Sequence, residues 1–128
     1  MIQLLFVDTN PDRCATIAAS CERVTSVLVK TLHSADATLE WLSSSSADVI
    51  VSGHDLPGGM DGIALLRELR ARGNTTPFIL FPANMSPRIR EEAYRNGAFS
   101  VLSSTPWGKN SIYRLIRTVY WAALYEGD

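Results

Sequence analysis

The chain has 128 residues, 46% of them hydrophobic and 20% charged, and 12 Lys/Arg against 13 Asp/Glu give a formal net charge of −1. That length suits one domain with a real core, here taken as a single domain over residues 1–128, and the balance excludes both the basic excess of a nucleic-acid-binding surface and an acidic, aromatic-poor disordered chain. No apolar run nears the roughly 18–20 residues that span a bilayer, and the N-terminal run meets Asp8 too early for a signal peptide, so the expectation is a cytoplasmic domain with no membrane or nucleic-acid partner.

In chain order, residues 3–7 form the first strand-like apolar run, and Asn10-Pro11-Asp12 opens a helix, with Pro suited to an early helical position and Asp12 to the first turn. Cys14 and Cys21 fall on that helix seven residues apart, about 10 Å by helical rise, too far for the roughly 7 Å that a disulfide tolerates. They read as buried or half-buried free thiols. A more mixed run at 26–32 suits an edge strand, and a helix at 35–42 ends in the four serines at 43–46. A third strand at 48–52 precedes a helix at 63–72 whose Ile63, Leu65, Leu66 and Leu69 share a face, capped by Asp61 and stopped by Gly73-Asn74. Strands at 78–81 and 100–102 flank a helix that begins at Ser86-Pro87 and ends at Asn96-Gly97. Asn110 is the expected cap of a last helix running to about Tyr125.

Most of these strand runs are nearly unbroken Val, Ile, Leu and Phe, the pattern of strands buried on both faces of a parallel sheet. Strand–helix units at about 25-residue spacing argue for a doubly wound α/β sandwich. In such folds ligands bind at the carboxyl ends of the strands. The segments to inspect are therefore Asp8-Thr9-Asn10, Gly53-His54-Asp55, Pro82-Ala83-Asn84 and Ser103-Ser104-Thr105-Pro106.

Residues 48–70, including the Leu56-Pro57-Gly58-Gly59-Met60-Asp61-Gly62 loop, resemble the third strand, loop and third helix of response-regulator receiver domains. Phe6-Val7-Asp8, Thr76-Pro77-Phe78-Ile79-Leu80, Asn96-Gly97-Ala98 and Thr105-Pro106-Trp107 are similar to further landmarks of that family, in its order. The resemblance implies a flavodoxin-like three-layer α/β/α sandwich: a five-stranded parallel sheet in the order 2-1-3-4-5 with five helices. It also implies a chemistry. An Asp ending strand three accepts a phosphoryl group and carboxylates after strand one hold Mg²⁺. A hydroxyl after strand four and a Lys after strand five bind the phosphoryl oxygens.

At the matching positions this chain has Gly53 for the acceptor, Asp8-Thr9 for the acidic pair, Pro82 for the hydroxyl residue and Thr105 for the lysine. Only Asp8 survives, a weak metal candidate by itself. The expectation is a degenerate receiver, no enzyme and without a cofactor, acting in a phosphorelay by protein contact. Its partner would be a signalling protein such as a histidine kinase or an output domain. One alternative is a receiver still phosphorylated with Mg²⁺ on Asp55 or Asp8; another is a small-molecule sensor that uses the vacated pocket.

Asp55 lies where the chain turns toward Pro57, and the family uses that position for a backbone carbonyl, which argues against it as a substitute acceptor. His54 and Asp55 are adjacent on extended chain and point apart, so they make no dyad. His33 has no partner in sequence, Lys109 lies beyond Pro106 near the last helix's start, and Gly58, Gly59 and Gly62 match no phosphate loop. On the last helix Ile112, Leu115, Ile116, Val119 and Ala123 form one stripe that should face the sheet. Trp121 falls opposite it with Tyr125 and Arg114 beside it, while Tyr113, Tyr120 and Leu124 gather on one flank; Tyr113, Tyr120, Trp121 and Tyr125 make this helix the expected partner surface, including for a homodimer.

Overall fold

In the computed structural model, which describes residues 1–24 and 26–125, strands and helices alternate without exception. They are β1 (Ile2–Val7), α1 (Pro11–Val24), β2 (Val27–Leu32), α2 (Ala35–Leu42), β3 (Val49–Ser52), α3 (Gly62–Ala71), β4 (Phe78–Leu80), α4 (Pro87–Arg95), β5 (Ser100–Val101) and α5 (Lys109–Leu124). All pairings are parallel and the order is β2-β1-β3-β4-β5, as the resemblance implied.

The alternation of side chains along each strand divides the core in two. Leu4, Phe6, Val49, Val51 and Ile79 point to one face, where they meet Cys14, Ile17 and Cys21 of α1 and Leu115, Val119 and Ala122 of α5. Leu5, Val7, Ile50, Phe78 and Leu80 point to the other, against Ala35, Leu39, Ile63, Leu65, Leu66, Leu69 and Ala93 of α2, α3 and α4. Strands covered on both faces need apolar residues at every position, and β3 and β4 are buried throughout. β2, hydrogen-bonded only to β1, keeps the mixed burial expected of an edge.

The helix caps follow the sequence with one exception. Asn10 Oδ1 accepts from Asp12 N (2.9 Å) and Arg13 N (3.2 Å), Asp61 Oδ1 from Ala64 N (2.8 Å) and Ser86 Oγ from Ile89 N (3.2 Å). Asn110 is not the cap of α5. Gly108 is, because the buried Ser111 hydroxyl accepts from Gly108 N at 3.1 Å and donates to Gly108 O at 3.0 Å, which starts the helix two residues earlier. The buried stripe of α5 also differs from the expected one. It runs Ser111, Leu115, Val119, Ala122, with Ile112, Ile116 and Ala123 half-buried on its flanks. Tyr120 is half-buried against the same core and so leaves the outward surface assigned to it. The apolar arc of a helix seated on a sheet is wider than a single stripe, and Tyr120 falls inside it.

Both cysteines are buried and neither is in a disulfide. Burial, with the charge of Asp8 adding to it, pushes the Cys14 thiol up to about 11; burial and then Glu22 push Cys21 to about 11 as well. Neither is a thiolate at neutral pH.

Two contacts fix the α3 end of the structure. The Arg70 guanidinium donates to the carbonyls of Asn74 (3.0 Å), Thr76 (2.9 Å) and Gly97 (2.9 Å), tying the end of α3 to the approach to β4 and to the end of α4. Gly97, at φ 97°, lies directly under it: a β-carbon there would sit 3.1 Å from Arg70 Nε. At the other end of α3, Gly62 N donates to His54 O at 2.8 Å, and a β-carbon at position 62 would collide with the Gly53 carbonyl oxygen. Replacing Arg70 with Met strands three carbonyls, so the denaturant midpoint should fall by the equivalent of about 2 kcal/mol, with no rescue by Lys, whose compact ammonium lacks the fork. Gly62→Ala should cost more, about 3 kcal/mol or above, because backbone rather than a flexible side chain must move, and a melting temperature close to the parent's would refute the close approach.

Candidate functional site

Register brings the strand ends level. Val7 pairs with Leu32 and Ser52, Ser52 with Leu80, and Leu80 with Val101. The residues just past these paired positions therefore emerge on one rim and frame a cleft of about 220 Å³ lined by Asp8, Thr9, Asn10, Arg13, Gly53, His54, Asp55, Phe81 and Ala83.

Asp8 is its innermost ionisable group, only 7% exposed. Its Oδ1 accepts from Asn10 N at 2.8 Å, so the carboxylate is fixed by the loop that opens α1. Its backbone carbonyl is engaged from behind by His33 Nδ1 (2.9 Å) and the Cys14 thiol (3.6 Å), which gives His33 a packing partner that the sequence did not reveal. Asp8 Oδ2 faces Gly53, where a β-carbon would lie 3.3 Å away. Gly53 itself is held by its backbone, its N donating to Val7 O at 2.9 Å and its carbonyl accepting from the Ser52 hydroxyl at 2.7 Å.

The two loops on the far side are committed to each other. Pro82 is buried and its carbonyl accepts from Ser104 N at 2.9 Å. The Thr105 hydroxyl donates to Ala83 O at 2.8 Å across the β4–α4 loop. Thr105 precedes a cis proline, Pro106. Thr9 and Asp55 are exposed at the cleft's mouth. Lys109, exposed at the first turn of α5, is absent from the lining.

Sequence reasoning missed the residue that supplies the cation. Arg13 of α1 lines the cleft, its guanidinium 4.8 Å from the centroid of the Trp107 ring and its Nη1 3.3 Å from Ser104 Oγ. The only signal was its place three residues after the Asn10 cap, which decides no direction across a loop. The sequence also missed His54's neighbour: Nε2 lies 3.8 Å from Asp61 Oδ2 in a partly exposed pair, while the buried Nδ1 has no hydrogen-bond partner. His54 makes its ion pair with Asp61 rather than with Asp55.

A magnesium ion prefers octahedral oxygen ligands, with one or two carboxylates besides water. Asp8 is the one buried carboxylate here, one of its oxygens is already held by Asn10 N, Gly53 brings no side chain, and the described residues contain no cluster of three His, Cys, Asp or Glu suited to a metal. At the positions where the resemblance implied a pair of carboxylates after β1, this chain has Asp8 and Thr9, one carboxylate in place of two.

On the other side of the sheet's rim, α5 turns Tyr113 and Trp121 outward, at 64% and 65% exposure, with Tyr125 just beyond it. Trp121 stands edge-on to Phe99 (centroids 5.4 Å apart, 82°), and Tyr125 packs on the same ring at 5.6 Å. Three of the four aromatics assigned to the surface are there. Among the described residues no helix is long and apolar enough to cross a membrane.

A family model described as the response regulator receiver domain matches residues 4–117. The DNA-binding transcriptional regulator NtrC of Klebsiella pneumoniae is 35% identical over 72 residues, which covers 56% of this chain and 15% of that protein. Its counterpart in Escherichia coli K12 is 36% identical over the same share. The match thus takes in a small part of these relatives' length. Among solved structures, the Francisella response regulator 1452 receiver domain superposes with a TM-score of 0.86 at 24% identity, over 96% of this chain and 97% of that one. The response regulator domain of Thermotoga maritima CheB gives 0.86 at 19% identity, over 99% of each. At these identities the superpositions establish the fold.

Gly53→Asp tests the cleft's electrostatics directly. A carboxylate there sits against Asp8, so its pKa is raised in the folded state and folding is penalised where it is ionised. Relative to the parent, the variant should be about 2 kcal/mol less stable at pH 7, with the deficit shrinking as pH falls through the raised value and gone near pH 4 in urea titrations. A deficit that does not change with pH would place the two carboxylates apart.

Proposed function

The chain belongs to the response regulator receiver domain family, and we propose that within it this is a receiver without aspartyl phosphorylation, signalling by protein contact rather than by chemistry. The observation that carries the reading is Gly53. At the end of β3, facing Asp8, the chain offers no nucleophilic atom, and phosphoryl transfer needs one within about 3 Å of the phosphorus in line with the leaving oxygen. The rest of the rim supports it. The position expected to carry a lysine is a threonine bonded to Ala83 O, and the position expected to carry a hydroxyl is a buried proline with neither hydroxyl nor N–H.

Two-component receivers hand signals between a histidine kinase and an output domain, and those are the partners of this reading. NtrC carries a DNA-binding output, so the absence of nucleic-acid contact is proposed for this domain alone. The aromatics on α5 supply the contact surface: a Trp held edge-on by Phe99 presents a preorganised apolar anchor with little rotamer entropy to lose.

One observation favours a second reading. Asp55 is an exposed carboxylate on the same cleft and accepts phosphate if the loop before Pro57 brings it inward. The small-molecule reading has less behind it, since about 220 Å³ is below the roughly 300–1,000 Å³ of most ligand pockets. Incubation with acetyl phosphate and Mg²⁺ followed by intact mass measurement separates the first two. No adduct is expected. An added phosphoryl group that disappears in Asp55→Asn establishes the second reading, and one that disappears in Asp8→Asn makes Asp8 the acceptor.

A further inference from the structure

The net charge of −1 conceals a strong polarity. Residues 1–63 hold three Lys/Arg against eight Asp/Glu, whereas residues 64–128 hold nine against five. Within α5 the imbalance is complete: Lys109, Arg114 and Arg117, with no acidic residue from 109 to 124.

Beside α5 lies a shallow groove of about 390 Å³ lined by Leu102, Arg114, Arg117, Thr118 and Trp121. It combines an apolar base at Leu102, an exposed tryptophan wall and two guanidinium groups. Neither arginine is in an ion pair among the described residues; the ion pairs there are His54–Asp61, Arg72–Glu68 and Arg88–Glu92. Arg117 instead rests over the Tyr113 ring, 5.7 Å from its centroid. Thr118 has spent its hydroxyl proton on Arg114 O at 2.8 Å. The groove therefore offers charge-assisted donors and an apolar seat, and among the described residues no carboxylate lines it.

We propose that this groove docks an acidic polypeptide segment of a partner protein, one with a large apolar side chain flanked by Asp or Glu. The inference rests on reading the domain as a protein-contact module and adds the chemistry of the partner. Arginine forks bind carboxylates in bidentate fashion, and Trp with Arg is the pairing found at the energetic centre of interfaces. A second copy is the weaker occupant. A two-fold pairing would set this groove against itself, and its described lining holds Arg114 and Arg117 with no carboxylate to answer them, so cation would face cation. A nucleic acid is weaker too, because a phosphate backbone calls for a longer run of cations than the three of α5.

The test uses the ¹⁵N-labelled domain and three probes of equal length: an Asp/Glu-rich peptide of about 12 residues carrying one Leu and one Phe, the same peptide with Lys for each acid, and an oligo-dT. The acidic peptide should shift amide resonances of 102 and 114–121. Raising the salt from about 0.05 M to about 0.5 M, which shortens the screening length roughly threefold, should weaken it several-fold. The double variant Arg114→Glu/Arg117→Glu should bind about tenfold or more weakly while keeping a dispersed spectrum, and Trp121→Ala should lose the contact without losing the fold. Equal shifts with the basic peptide overturn the acidic preference and leave the contact surface standing. Tighter binding of oligo-dT overturns the class of partner. Self-association that the double variant abolishes makes the occupant a second copy. No shift along α5 with any probe overturns the surface, and with it the site assigned to the contact reading, whatever the phosphorylation assay gives.

Discussion

The molecule depends on a parallel sheet buried on both faces. Hydrogen bonds on both edges of β1 and β3 and helices above and below them bury Leu4 to Val7 and the whole of β3, leaving no solvated polar group at those positions. Polar side chains are therefore pushed to the ends of the strands. Because the register holds Val7, Ser52, Leu80 and Val101 level, the ends on one side make a single rim. The cleft at Asp8 is a consequence of that alignment rather than of any motif, and a chain with this sheet possesses the rim whatever residues occupy it.

In this protein the rim's polar capacity is largely spent within the protein. Asn10 N and the Asp8 carboxylate satisfy one another, Ser52 closes on Gly53 O, Ser104 on Pro82 O and Thr105 on Ala83 O. The Arg13 guanidinium, on the same lining, divides itself between Ser104 and the face of Trp107. Such bonds hold the loops after β1, β4 and β5 together without a ligand. That arrangement fits a domain whose proposed role is to keep a shape and present a surface.

α5 joins the two ends of that proposal. Its inner side, Ser111, Leu115, Val119 and Ala122, completes the core over β1 and β3, so its orientation is fixed by packing. Its outer side carries Trp121, Tyr113, Arg114 and Arg117, the residues of the proposed contact. The near-neutral composition excluded a basic protein as a whole, yet it concealed a cationic, aromatic strip confined to one helix and the neighbouring end of β5. Charge in a sequence is a sum; in a fold it is a distribution.

By itself the sequence determined the alternation of strands and helices, the edge character of β2, the caps at Asn10, Asp61 and Ser86, the spacing that keeps Cys14 and Cys21 from a disulfide, and the absence of a carboxylate at Gly53 and of a hydroxyl at Pro82. Each of these is written locally, in hydrophobic period, in capping residues or in the plain absence of a functional group. Tertiary structure alone decided the rest. Arg13 crosses to Trp107, His54 meets Asp61, Arg70 gathers three carbonyls, Tyr120 turns into the core and Ser111 moves the start of α5 from the Asn110 cap to Gly108. The long-range contacts among these join residues 7 to 94 positions apart, where no local period carries information. For α5 the deciding factor was the width of the groove it fills, which sets how far around the helix burial extends. A sequence specifies which groups end each strand; only packing specifies which distant side chains meet them.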